Sequence, residues 1–114
     1  MPIYRREISK LFGDNFIGTI QILIKKGSLA KENIKDIADC MEVREEFDKH
    51  NEKGCDLIYI FQCLLDAWYA DFRSPPTPAE AQEMFLSFLR ETHCVAYVIT
   101  EVGKAFQSKL KIIK

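Results

Sequence analysis

The 114-residue chain has little of what marks most catalytic or membrane proteins. It has two histidines and one tryptophan, and its five glycines are scattered at 13, 18, 27, 54 and 103. None of them builds a phosphate-cradling loop, and no G-x-S-x-G elbow is present. Nucleophilic catalysis needs a nucleophile, a base and an orienting group in a recognisable pattern. No Cys/His motif of that kind stands out, and the expectation is a non-enzyme. No apolar run approaches the roughly 18 residues that span a bilayer. The stretch MPIYRREISK lacks an apolar core of signal-peptide type. There is no internal repeat and no low-complexity segment.

Cysteine is present but unpaired in sequence. Cys40, Cys55, Cys63 and Cys94 form no C-x-x-C. Structural zinc sites bring their ligands in close pairs. Here only His93 and Cys94 are close, and adjacent helical residues point about 100° apart. His50 stands alone. The reading is therefore reduced, mostly buried thiols in a cytoplasmic protein, with no metal and no cofactor.

Charge of one sign is also missing. Sixteen Lys and Arg against seventeen Asp and Glu leave a formal charge of −1. That argues against a protein that coats nucleic acid. Two basic ends remain: Arg5, Arg6 and Lys10 at one, Lys104, Lys109, Lys111 and Lys114 at the other. A small nucleic-acid-binding helical domain using them is the alternative function.

The positive signal is apolar residues at helical spacing. Hydrophobic residues make up 47% of the chain, enough for one domain with a core of its own. Ile8, Leu11 and Phe12 mark a first helix, interrupted at Gly13-Asp14-Asn15. Phe16, Ile20, Leu23 and Ile24 fall on one face of the next. Gly27 ends it, and Ser28 is placed to cap the next helix. Ile34, Ile37, Ala38 and Met41 stripe KENIKDIADCM. The segment EVREEFDKHNEKG (42–54) reads as a short exposed helix pinned by Val43 and Phe47 and closed by Gly54. Leu57, Ile60, Phe61, Leu64, Leu65, Trp68 and Phe72 form the most buried-looking helix.

Pro75 and Pro76 stop that helix, because proline lacks an N–H and clashes with the preceding turn. Thr77, Pro78 and Glu80 then match a capping box with proline at the first helical position. Ala81, Met84, Phe85, Phe88 and Leu89 carry the next buried face. Val95, Val98, Ile99, Val102 and Phe106 carry the last, so YVIT (97–100) reads as helix despite its β-prone residues. The expected class is all-α, a bundle of about six helices with a basic tail over 107–114.

The surface holds the densest chemistry. Lys31, Glu32, Lys35, Asp36 and Asp39 precede Glu42, Arg44, Glu45, Glu46 and Asp48 on two short helices with little apolar area. Such a mixed-charge face suits a partner of complementary charge.

In order and spacing these segments resemble a death domain. "LLDAW" (64–68), a short link and "TPAEAQEMFLSFL" (77–89) resemble two of its later helices. "LFGDNFIGTIQIL" (11–23) resembles its first helix, with Phe16 where tryptophan is common. "NIKDIAD" (33–39) resembles its second. "LRETHCVAYVITEVGKAF" (89–106) is similar to the last helix of FADD-type adaptors. IKKGSLAKENIKDIADCMEV (24–43) is also similar to the sister death-effector fold. The resemblance covers roughly residues 5–106. It implies a six-helix antiparallel bundle of Greek-key type. It also implies a non-enzymatic adaptor that binds other death domains in apoptotic or innate-immune signalling complexes. Binding faces in that family include the second and third helices. By helix order this face is Lys31, Glu32, Lys35, Asp36, Asp39, Glu42, Arg44, Glu45, Glu46 and Asp48.

Overall fold

A computed structural model describes the backbone of residues 5–113 and the side chains of residues 6–106. Seven helices and no strand occur among the described residues. They are α1 (Arg5–Phe12), α2 (Phe16–Lys25), α3 (Lys31–Cys40), α4 (Arg44–Glu52), α5 (Leu57–Ala70), α6 (Pro78–Glu91) and α7 (Ala96–Ile113). The all-α class stands, and the helix count rises from about six to seven. The basic tail continues α7 as far as Ile113.

The apolar stripes meet in one core. Phe12, Phe16, Ile20, Ile34, Ile37, Ile60, Phe61, Leu64, Phe85, Leu89, Val98 and Val102 are completely buried. At its centre Phe12 stacks on Phe16 with ring centroids 4.6 Å apart. Phe85 stands edge-on to Phe16 at 5.1 Å, and Phe106 stacks on it at 5.6 Å. Aromatic pairs of this geometry are each worth about 0.5–1.5 kcal/mol beyond the area they bury. They tie α1, α2, α6 and α7 together. α5 carries Phe61 into the same cluster, 6.0 Å from Phe16. α4 lies outside this centre, packed on α5 and α3 and pinned by Phe47 and Val43.

Four helices end in the same device, in which a left-handed residue lets two N–H groups reach back to orphan carbonyls. Gly27 closes α2 and Gly54 closes α4, with φ of 81° and 75°. Glu42 closes α3 and His93 closes α6 in the same conformation, at 62° and 59°. Glu42 is therefore not helical, and α4 begins two residues after it. The reversed bonds run from Val43 to the Ala38 carbonyl at 2.9 Å and from Cys94 to the Leu89 carbonyl at 3.1 Å.

Helix starts agree with the sequence pattern in one case and depart from it in another. Thr77 Oγ1 accepts from the Glu80 N–H at 3.2 Å, and Glu80 Oε1 accepts from the Thr77 N–H at 2.9 Å. Ser28 does not cap α3. Its N–H instead closes the end of α2 on the Leu23 carbonyl, and Leu29 turns into the core. Ala30 then occupies the cap position, its N–H satisfied by Asn33 Oδ1 at 2.9 Å. Val95 is also corrected. It precedes α7 and is 58% exposed, because the reversal at His93 swings it away from the core.

Candidate interaction face: an acidic cleft at the α3–α4–α5 junction

Glu42 sets the geometry of the face. Its left-handed turn folds α4 back against the end of α3, so the last turn of α3 meets the first turn of α4. Arg44 lies at that corner. Its Nη1 donates to Asp39 Oδ1 and Oδ2 at 3.1 and 3.2 Å, and its Nε donates to Asp48 Oδ1 at 3.1 Å. These bonds, first to Asp39 and then to Asp48, hold the guanidinium pKa above its ordinary value. Arg44 is thus engaged within the chain, locking α4 to α3.

A shallow cleft of about 530 Å³ opens beside this clamp. Asp39, Glu42, Arg44, Glu45, Glu46 and Asp71 supply its charged lining, with Val43 and Ala67 beneath. Five carboxylates thus surround one guanidinium that is already neutralised. The cleft is acidic, not evenly mixed as the sequence alone suggested. Asp71 and Ala67 were not anticipated. They come from the end of α5, some 25 residues downstream, and only the α4–α5 packing brings them here.

The expected face divides. Asp39, Glu42, Arg44, Glu45 and Glu46 come together at the cleft, and Asp48 joins through Arg44. Lys31, Glu32, Lys35 and Asp36 lie earlier on α3, outside the cleft lining. Lys35 is spent locally on Glu32 at 3.0 Å. Glu46 is held by Lys49 at 3.1 Å, while Glu42 and Glu45 are exposed.

The basic residues gather no comparable site among the described residues. Lys104 pairs with Glu101 at 3.5 Å and Arg90 with Glu83 at 3.8 Å. Arg6 and Lys10 are exposed on α1. The side chains of Arg5, Lys109, Lys111 and Lys114 lie outside the described residues. No group of His, Cys, Asp and Glu among the described residues is arranged to hold a metal ion. No described helix is long and apolar enough to cross a membrane. The four cysteines are free, and each is partly exposed where burial was expected.

The double-proline corner forms a more apolar concavity of about 790 Å³, lined by Phe72, Pro75, Pro76, Met84 and Phe88 with Glu80 and Glu83. Its rings continue the packing around Trp68, so its first role is structural. No protein-family model, curated protein or solved structure matches the chain at a significant level.

Proposed function

We propose that this chain is a protein-interaction module of death-domain type, which binds other such domains, or copies of itself, to build an oligomeric signalling assembly. The acidic cleft at the α3–α4–α5 junction is the observation that carries this reading. A rigid, solvent-facing array of carboxylates on short helices, with its one arginine already satisfied, is suited to a basic surface on a partner. Contacts of this kind supply specificity and fast association.

The helix order supports the finer fold assignment. Counted as one helix broken at Gly13–Asn15, α1 and α2 leave six elements, and α3 and α4 become the second and third. A death-effector-type domain with the same adaptor role is the near alternative. The cleft itself does not suit nucleic acid, because its five carboxylates repel phosphate.

The test uses charge reversal at exposed residues outside the Arg44 clamp, with helicity checked because Glu45 lies in the first turn of α4. Arg44→Glu is a poor choice, since it breaks the lock between α3 and α4. Glu45→Lys and Asp71→Lys alter exposed side chains at the start of α4 and just past the end of α5. Self-association and pull-down with death-domain partners are sized at low and high salt. The expected result is assembly that weakens with salt, as exposed charges are screened beyond about 8–10 Å, and is lost in the double reversal. Unchanged assembly in that variant would remove the cleft as the binding face.

A further inference from the structure

The end of α4 carries a second set of side chains that shares only Glu46 with the cleft. The sequence E-F-D-K-H-N-E-K-G-C places His50 four residues after Glu46 and Cys55 just after Gly54. Gly54 is left-handed, so its N–H reaches the Asn51 carbonyl at 3.1 Å and the Cys55 N–H reaches the His50 carbonyl at 3.2 Å. This closure turns the side chains of its first and sixth residues toward each other. Here those residues are an imidazole and a thiol.

Cys55 Sγ lies 4.0 Å from His50 Nδ1. His50 Nε2 lies 3.3 Å from Glu46 Oε1. With the Nε2 proton donated to that carboxylate, Nδ1 presents a lone pair to the thiol. The Tyr59 ring packs edge-on against the imidazole at 5.6 Å, fixing its plane. His50 sits in the last turn of α4, at the negative end of the helix dipole. Burial pushes the Cys40, Cys63 and Cys94 thiols up, holding them protonated.

We propose that Cys55 is a modification site, a nucleophilic thiol with His50 as its base and Glu46 as the residue that positions His50, and that it takes small disulfides of the glutathione type. His50 Nδ1 accepts the thiol proton. The Cys55 sulfur attacks one sulfur of the disulfide, a new S–S bond forms and the old one breaks. Its electron pair leaves with the departing thiolate, which takes the proton back from His50. One disulfide is consumed, and one mixed disulfide and one free thiol are produced. This inference does not rest on the partner-binding reading, although Glu46 belongs to both sites.

The test treats the native chain with oxidised glutathione, quenches it with acid, and measures occupancy of each cysteine by mass spectrometry. Cys55 is expected to react about 10-fold or more faster than the other three. Urea should collapse that ratio toward one. His50→Gln and Glu46→Gln should slow Cys55 alone, the first by about 10-fold and the second by less. A merely structural loss would instead speed all four thiols. Equal rates at the four cysteines in the native wild type would overturn the proposal. So would a Cys55 lead that persists in urea, or an undiminished Cys55 rate in a folded His50→Gln chain.

Discussion

Phe72 meets Trp68 edge-on, with ring centroids 5.0 Å apart and planes at 89°. The residue that ends the longest apolar stripe thus folds back onto the chain's one tryptophan, and Phe88 of α6 approaches the same indole at 6.3 Å. Trp68 is 5% exposed. Trp68→Ala should therefore cost about 3–5 kcal/mol, the range for deleting a buried aromatic side chain. Chemical denaturation of wild type and variant measures this. Native tryptophan emission should be blue-shifted, and a water-like maximum would contradict the burial.

Glu42 and Gly54 occupy equivalent positions at the ends of α3 and α4. A side chain in the left-handed region costs roughly 1–2 kcal/mol, which glycine escapes. Glu42→Gly is therefore expected to stabilise the chain by about 0.5–1 kcal/mol, the gain being trimmed by glycine's extra freedom when unfolded. Gly54→Ala is the mirror experiment. Nothing lies within 4 Å of an added Cβ there, so the loss, again about 1 kcal/mol, is conformational. Each kcal/mol should move the thermal midpoint by about 4–8 °C. Because Glu42 also lines the cleft, the same variant removes one of its carboxylates and should weaken assembly while stabilising the fold.

The Arg44 clamp is expected to matter less for stability than its geometry suggests. Its partners are half exposed, and ion pairs open to water are screened and contribute little. A double-mutant cycle on Asp39 and Arg44 should return a small coupling that shrinks at high salt. A large coupling insensitive to salt would mean that the pair is shielded from water.

Much of this architecture was legible because buried faces leave a period in the sequence. The stripes of α2, α3, α5 and α6 are of that kind, and so is the Thr77–Glu80 capping box. Gly27 and Gly54 announced their helix ends, since glycine is the usual left-handed residue. Glu42 performs the same turn without that signal, which is why segment 42–54 read as one helix. Leu29 was missed because a single apolar residue in a turn has no period. Asp71 was missed because the cleft is a tertiary product: no local pattern links the end of α5 to the start of α4. The pairing of His50 with Cys55 was the reverse case. It is written in the local string H-N-E-K-G-C, but only if the closing turn at Gly54 is traced through to the side chains it brings together.

The partly buried thiols make stability fall at alkaline pH. Desolvation raises Cys40, Cys63 and Cys94 above the ordinary thiol value, and carboxylates add to it: Glu91 with Asp39 and Asp36 at Cys40, Asp66 with Glu46 at Cys63, Asp36 at Cys94. Hydrogen bonds from Tyr59 and Thr92 oppose the shift at Cys63 and Cys94 without cancelling it. A group whose folded pKa is raised binds its proton more tightly in the native state. Between the unfolded value, about 8.5, and the higher folded value, the native chain retains more protons than the unfolded one. Stability therefore declines as pH rises through that window. Below it both states are protonated and the thiols contribute no slope. Urea midpoints measured from pH 7 upward should hold level and then fall beyond about pH 8.5. Replacing Cys40, Cys63 and Cys94 together by alanine should flatten that decline, apart from the contribution of lysines and tyrosines at higher pH. An equally steep fall in the triple variant would assign the alkaline transition to those other groups.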